Sequence, residues 1–138
     1  MKREGILLAI RPQVADLAES LLRDTGMPLV RTHTLADAGL QLQQGCFRLI
    51  VGTLQFDDSR LFDLLPLARA AGTPLLAVRM TPGLLPESVI EALFKAVQLC
   101  GFHGWMDVCR VTERHGEAEA VRRLQSLVLD TALPSIPD

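Results

Sequence analysis

The fold is decided by the stretch FRLIVGT at residues 47–53. Its centre is a continuous apolar run of strand length, which is typical of a parallel strand that is covered on both faces. Similar runs occur at residues 6–10 and 74–78, and segments with apolar residues at helical spacing lie between these runs. The pattern therefore predicts an α/β fold in which strands and helices alternate.

Outward from that strand, the chain divides into five units, each a strand followed by a helix. The predicted strands cover residues 6–10, 28–32, 47–52, 74–78 and 104–108. The predicted helices cover about residues 14–22, 35–42, 61–68, 86–97 and 117–129. Because the connections are short, this order predicts a right-handed, parallel, five-stranded sheet with helices on both faces.

The length of 138 residues corresponds to one domain. We assign residues 1–132 to this domain. Residues 133–138 read LPSIPD, and their two prolines prevent a helix from continuing. This segment is predicted to be a tail or the start of a linker.

Composition argues against several classes of partner. A net charge of −2 does not provide the positive field that nucleic acids or anionic membranes attract. No apolar run approaches the roughly 20 residues that a membrane-spanning helix needs. The three cysteines are odd in number and irregularly spaced, which favours buried thiols in a reducing cytoplasm over a disulfide framework.

The ends of two predicted strands carry no carboxylate. The first strand runs into Ile10 and Arg11, and the third ends at Gly52 and Thr53. In an open α/β sheet, ligands bind where the strands end and the loops begin. These four residues cannot form an acidic metal site there.

The segment CGFHGWM at residues 100–106 carries a resemblance to a known family. It is similar to the fourth-helix exit and fifth strand of the receiver domains of bacterial response regulators, and FRLIVGT is similar to their third strand. The resemblance covers about residues 5–130. It implies the chemotaxis-regulator type of flavodoxin-like fold, a (βα)5 three-layer sandwich with strand order 2-1-3-4-5.

Receivers hold Mg²⁺ with two carboxylates after strand 1 and are phosphorylated on an aspartate at the end of strand 3. A Ser or Thr after strand 4 and a Lys after strand 5 contact the phosphoryl group. By the resemblance, these positions fall in turn at Ile10 and Arg11, Thr53, Arg79, and Asp107 or Val108. Since none of these residues matches the family's pattern, the resemblance implies a degenerate pseudo-receiver that is not an enzyme and has no metal or cofactor.

The aromatic position that receivers use as a switch falls at Trp105, the only tryptophan. Receivers bind partners or form dimers through the face made by the fourth helix, the fifth strand and the fifth helix. By the resemblance we predict that Trp105, with Phe102 and His103, contributes to a protein interface, and that a homodimer through this face is an option. Burial of the Trp105 ring between helices is the alternative.

Arg11 and Arg79 are predicted to lie at two strand ends that flank one crevice. One hypothesis is that they bind a small anion in place of Mg²⁺. The other is that they extend to solvent, or pair with Asp57 or Asp58 and hold the domain in one state. These two aspartates are also candidates for a displaced acidic site, and together with Ser59 they are candidates for capping the next helix.

Cys100, His103, Cys109 and His115 lie close together in the sequence, but their spacing lacks a C-x₂-C pair and straddles a predicted strand. We therefore predict no zinc site. Three hypotheses remain for the domain: a signalling module that cannot be phosphorylated and binds a protein partner, a small-anion sensor that uses Arg11 and Arg79, and an atypical receiver phosphorylated at Asp57 or Asp58.

Overall fold

The strands form one parallel sheet in a computed structural model that describes residues 4–80, 82 and 85–134. They are β1 (Ile6–Ala9), β2 (Leu29–Thr32), β3 (Leu49–Thr53), β4 (Leu75–Arg79) and β5 (Gly104–Asp107). Their order in the sheet is β2-β1-β3-β4-β5, and every neighbouring pair is parallel. The predicted flavodoxin-like sheet and its strand order are confirmed.

The described residues also form six α-helices. These are α1 (Ala15–Leu22), α2 (Leu35–Gln44), α3 (Leu61–Ala71), α4 (Glu87–Cys100), α5 (Val108–His115) and α6 (Glu117–Thr131). A short 3-10 turn precedes α1 at Pro12–Val14, and another follows it at Arg23–Thr25.

Two hydrophobic cores cover the two faces of the sheet. Alternate residues of β1 divide between them, because successive side chains of a strand point to opposite faces. Ile6 and Leu8 pack with α1 and α6, whereas Leu7 and Ala9 pack with α2, α3 and α4. All residues of β1 and β3 are buried, as expected for parallel strands between two helical layers. The predicted three-layer sandwich is therefore confirmed.

Local signals determine where the helices that flank the site begin and end. The Thr34 side chain accepts a hydrogen bond from the Asp37 N–H at 3.1 Å and caps α2. Pro86 is the N-cap of α4, and Gly101 ends that helix with a φ of 89°, which glycine adopts without strain. These ends set which side chains of α4 lie beside β5.

The described residues contain one helix in addition to the five of the predicted (βα)5 order. The sequence pattern predicts a strand through Val108, but β5 ends at Asp107 and α5 begins directly after it. The Asp107 carboxylate accepts a hydrogen bond from the Arg110 N–H at 3.0 Å and so caps α5. The helix predicted at residues 117–129 is α6, and it continues to Thr131.

After α6, hydrogen bonds join Leu133 to Arg48, the residue before β3. The Leu133 N–H donates to the Arg48 carbonyl at 2.9 Å, and the Arg48 Nε donates to the Leu133 carbonyl at 2.7 Å. The rest of the predicted tail, residues 135–138, and Thr81 and Gly83 of the predicted loop at 81–83 lie outside the described residues. Among the helices of the described residues, none is long and apolar enough to cross a membrane.

Candidate functional site

The carboxyl ends of β1, β3 and β4 meet at one edge of the sheet, and the predicted positions lie together there. Arg11, Thr53 and Arg79 line one small cavity of about 30 Å³. Ile10 is fully buried beside them and Thr53 is 6% exposed. A space of this size holds one or two water molecules. We name this region, with these four residues at its centre, the strand-end crevice.

Arg79 is held by acidic side chains on two other elements. Its Nη1 donates to the Asp107 Oδ2 at 3.1 Å and lies 3.5 Å from the Glu87 Oε1 at the start of α4. Its side chain is only 12% exposed. Burial acts to lower the pKa of Arg79, but the hydrogen bond and the charge of Asp107 outweigh it, so this pKa lies above its ordinary value. Arg79 therefore remains a paired guanidinium.

Arg11 has a different partner from the one predicted. Its Nη1 donates to the Gln55 Oε1 at 2.7 Å, and within the described residues it makes no ion pair. The hypothesis that Arg11 or Arg79 pairs with Asp57 or Asp58 was wrong. Gln55 was missed because a lone glutamine after a strand carries no sequence signal of its own.

Asp57 acts at the start of a different helix from the one predicted. Its Oδ2 accepts a hydrogen bond from the Leu35 N–H at 2.7 Å, so it supports the first turn of α2. The prediction that residues 57–59 cap the next helix was wrong, since the N-cap of α3 is Arg60, which makes no side-chain cap. The pairing is long-range, and sequence spacing cannot predict it.

The turn that carries Asp57 has an uncommon backbone. Asp57, Asp58 and Ser59 have φ values of 44°, 53° and 68°. Such left-handed conformations cost free energy for non-glycine residues, although aspartate tolerates them better than most. The turn borders a polar groove of about 410 Å³ that also contains Arg11 and His33.

Two buried polar atoms of the strand-end crevice have no hydrogen-bond partner in the described residues. They are the Thr53 Oγ1 and the Arg79 Nε. Most buried polar side-chain atoms in proteins are hydrogen-bonded, so each unpartnered atom requires an explanation. Both residues line the same small cavity.

The β5 edge of the sheet presents an exposed aromatic pair. Trp105 is 42% exposed, and its ring centroid lies 5.1 Å from that of Phe94 on α4. The alternative prediction, that this ring is buried between helices, was wrong. Phe102 instead makes an edge contact with Phe62 of α3 at 5.4 Å. The Leu75 N–H donates to the Nδ1 of His103 at 3.3 Å.

A large groove opens at this edge, and we name it the β5 groove. It measures about 650 Å³ and lies between α4, β5, α5 and α6. Sequence reasoning identified only Trp105 and Asp107 in its wall. It missed Arg110, Val111 and Arg114 because they lie on α5, which was not predicted. It missed Phe94 and Lys95 because the periodicity that predicts α4 does not show which of its side chains border a groove.

The histidines and cysteines near β5 do not converge. In the described part of the chain, no group of three or more His, Cys, Asp or Glu side chains has the arrangement of a metal site. Cys109 is 8% exposed, and burial raises the pKa of its thiol above the ordinary value. This thiol is therefore protonated at neutral pH.

Comparisons with known proteins agree on the fold. The chain is similar to a CheY-like receiver-domain protein from Methanospirillum hungatei, with a TM-score of 0.64 at 11% identity over 94% of this chain and 96% of that one. It is also similar to the receiver domain of a sensor histidine kinase from Pseudomonas aeruginosa, with a TM-score of 0.61 at 14% identity over 91% and 98%. That structure holds a magnesium ion in its active-site cleft.

A chemotaxis response regulator of Vibrio cholerae gives a TM-score of 0.59 at 18% identity, covering 90% of this chain and 98% of that one. The sequence matches no protein-family model, and no curated protein resembles it significantly. At such low identities the structural likeness establishes the fold alone. The class is thus a domain with the flavodoxin-like fold of receiver domains.

Proposed function

We propose that the domain is a receiver-like signalling module that accepts no phosphoryl group and acts by binding a protein partner, in bacterial signal transduction or transcription control. The observation that carries this proposal is the Arg79–Asp107 pair. Where receivers have a hydroxyl group after strand 4, this chain has a largely buried guanidinium whose Nη1 is already bound to a carboxylate of β5. A phosphoryl group at this position would have to displace the Asp107 carboxylate.

The other positions of the strand-end crevice support the same proposal. Mg²⁺ binds oxygen ligands, and carboxylates are its usual protein partners. Ile10 is apolar, Arg11 is positively charged, and Thr53 supplies a hydroxyl in place of the phosphoacceptor carboxylate. Asp57 is the acidic residue that follows Thr53 most closely in the chain. Its carboxylate already accepts a hydrogen bond from the Leu35 N–H at the start of α2. We therefore propose a degenerate site and no catalytic activity of its own.

The test is the response of Trp105 fluorescence to Mg²⁺ and beryllofluoride, which together mimic a phosphoryl-aspartate. Trp105 is the only tryptophan and is partly exposed, so its emission reports changes near β5. We expect no saturable change in the folded protein. A receiver domain with a complete acidic site, measured in parallel, is the positive control.

A saturable, Mg²⁺-dependent response would contradict the proposal. The variants Asp57→Asn and Asp58→Asn would then identify the acid involved, because loss of the response in one of them would support the atypical-receiver hypothesis. Asp63→Asn is a matched control, since Asp63 lies on α3 outside the crevice and the polar groove.

A second candidate function is the sensing of a small anion by Arg11 and Arg79. The unpartnered Thr53 Oγ1 and Arg79 Nε favour it, since both residues line the same cavity as Arg11. The carboxylates of Asp107 and Glu87 oppose it, because they already offset the charge of Arg79. A thermal-shift screen with phosphate, sulfate, acetate and nucleotides tests it, since a ligand of the folded state raises the melting temperature. Stabilisation that Arg11→Ala abolishes would favour this function over the first.

The remaining proposals concern partners and compartment. We propose the cytoplasm, on the cysteine content noted above, and no direct contact with nucleic acid or membrane. A homodimer through α4, β5 and the helices that follow is an alternative to a different protein partner. Trp105 is the proposed interface residue at that face, and Phe102 and His103 are proposed to extend the interface beyond the β5 groove.

A further inference from the structure

We propose that the polar groove binds a small zwitterion, an amino acid whose carboxylate contacts Arg11 and whose ammonium group contacts Asp58. The groove measures about 410 Å³, and side chains of both charges line it. Such binding requires neither a phosphoryl group nor a protein partner, so it goes beyond the proposed function. Its support comes from the place of the groove in the sheet and from the state of the charged side chains that line it.

The polar groove lies where the sheet reverses its connections. The strand order β2-β1-β3 places the carboxyl ends of β1 and β3 side by side. The helix after β1 packs in one hydrophobic core and the helix after β3 packs in the other, so the two loops leave the sheet toward opposite faces. Loops that diverge in this way leave a crevice between them, and open α/β sheets bind their ligands in that crevice.

Arg11, which follows β1, supplies an oriented positive charge to the groove. Its Nη1 donates to the Oε1 of Gln55 at 2.7 Å, and Gln55 is neutral. This hydrogen bond therefore fixes the guanidinium without offsetting its charge. Arg11 is half-buried and makes no ion pair within the described residues, so its other N–H groups remain to bind a carboxylate.

Asp58, in the loop after β3, supplies the negative charge. It is exposed, and in the described part of the chain its carboxylate makes no hydrogen bond or ion pair. The neighbouring Asp57 differs, because it accepts a hydrogen bond from the Leu35 N–H and the positive end of α2 offsets its charge. Arg11 and Asp58 line one groove without pairing with each other, so each lacks a counter-charge there.

Opposite charges in one groove disfavour simple ions. An anion would be attracted by Arg11 but repelled by Asp58, and a cation would meet the reverse. In the described residues, no group of three or more His, Cys, Asp or Glu side chains has the arrangement of a metal site, so a metal cation has too few ligands. A molecule with a carboxylate at one end and an ammonium group at the other compensates both side chains at once.

The test is a thermal-shift titration of the wild-type domain with glycine, β-alanine, γ-aminobutyrate and ε-aminocaproate. The distance between the two charges increases along this series, and a ligand of the folded state raises the melting temperature. We expect one member to stabilise the domain most, because the positions of Arg11 and Asp58 favour one charge separation. The carboxylate and the amine of matching length, which carry one charge each, should bind at least roughly tenfold more weakly.

Two variants and two matched controls localise the binding by calorimetry. Arg11→Gln and Asp58→Asn should each weaken the affinity for the best member of the series by roughly tenfold or more. Asparagine tolerates the left-handed backbone of Asp58, whose φ is 53°, so this variant should fold. Arg23→Gln and Asp130→Asn should leave the affinity unchanged, because both side chains are exposed and lie outside the groove.

Asp58→Asn also has an expected gain of binding. Because the substitution removes the repulsion of a carboxylate, the matching single-charge carboxylate should bind this variant more tightly than it binds the wild type. A merely structural role of Asp58 would not produce this gain. The variant therefore tests the sign of the charge as well as the place of binding.

Several results would overturn the inference. These are the absence of stabilisation by any member of the series, equal stabilisation by a single-charge analogue, or an affinity that Asp58→Asn leaves unchanged. Binding of an anion alone that Arg11→Gln abolishes and Asp58→Asn preserves would assign Arg11 to the anion-sensing function instead. The beryllofluoride test is made without these ligands, so the two proposals fail separately.

Discussion

The strand-end crevice and the β5 groove lie close together but differ in how they use their charges. In the crevice, the cavity measures only about 30 Å³ and Arg79 is bound to Asp107 and Glu87. In the groove, the space is about 650 Å³, and Lys95 and Arg114 have no ion-pair partner in the described residues. Charges that satisfy each other stabilise a fold, whereas charges that remain unpaired at a surface can recruit a partner.

One chain of ion pairs connects the two regions. Glu87 lies 3.5 Å from Arg79 of the crevice and 2.7 Å from Arg110 of the groove. Asp107 also contacts both, through the Arg79 side chain and the Arg110 backbone N–H. The substitutions below separate structural from binding roles, in order of decreasing effect on stability.

Asp107→Ala should have the largest effect, because it removes the partner of a buried guanidinium and the cap of α5. Asp107 is 8% exposed. We expect a loss of about 3 kcal/mol in the free energy of unfolding, since a buried charge is left without its closest partner. Urea denaturation measures this loss in the free energy of unfolding.

Asp130→Ala is the control, because Asp130 is exposed near the end of α6 and its substitution should change stability by less than about 0.5 kcal/mol. Equal effects of the two substitutions would contradict the view that the charges of the crevice stabilise the fold.

Gly52→Ala tests whether the end of β3 is close-packed against α3. A Cβ added at Gly52 would overlap the Leu61 Cδ1 of α3. We expect a loss of about 1–3 kcal/mol from overpacking. At Gly45, by comparison, the nearest atom to an added Cβ is 3.8 Å away, so Gly45→Ala should be close to neutral. An unchanged denaturation midpoint for Gly52→Ala would indicate open space at the end of β3.

Trp105→Ala should separate binding from folding. Because this side chain is 42% exposed, its truncation should lower stability by only about 1 kcal/mol, well below the 3–5 kcal/mol of a fully buried tryptophan. Leu99→Ala is the control, since Leu99 lies on α4 outside the β5 groove and is 80% exposed. It should leave stability unchanged. Loss of cooperative unfolding in Trp105→Ala would mean that the aromatic pair is structural.

Glu119→Gln should have the smallest effect on stability. Hydrogen bonds from Arg122 and Arg123 lower the pKa of Glu119 to about 2. Because this pKa is lower in the folded state than the ordinary 4.5, the stabilisation is present above pH 4.5 and is lost as the pH falls toward 2.

The melting temperature of Glu119→Gln should therefore lie slightly below that of the wild type at pH 7, with a smaller difference at pH 3. Glu117→Gln, at the start of the same helix and without an ion pair in the described residues, is the control.

Periodicity alone predicted most of the architecture. The runs at residues 6–10, 47–53 and 74–78 are apolar on both faces, and only a parallel sheet between two helical layers buries such strands completely. The failure at α5 has a physical cause as well. The helix is eight residues long and few of its side chains are buried, so its start depends on the Asp107 cap rather than on an apolar stripe.

The sequence by itself determined the parallel strands and the absence of carboxylates at the ends of β1 and β3, because both follow from residue types and short-range order. The strand order followed from the resemblance to receiver domains. Only the tertiary structure decided the partners: Asp107 for Arg79, Gln55 for Arg11, and the start of α2 for Asp57. It also decided which side chains surround the β5 groove. Such pairings join residues that lie 22 to 44 positions apart in the chain, and their distances depend on how the elements pack.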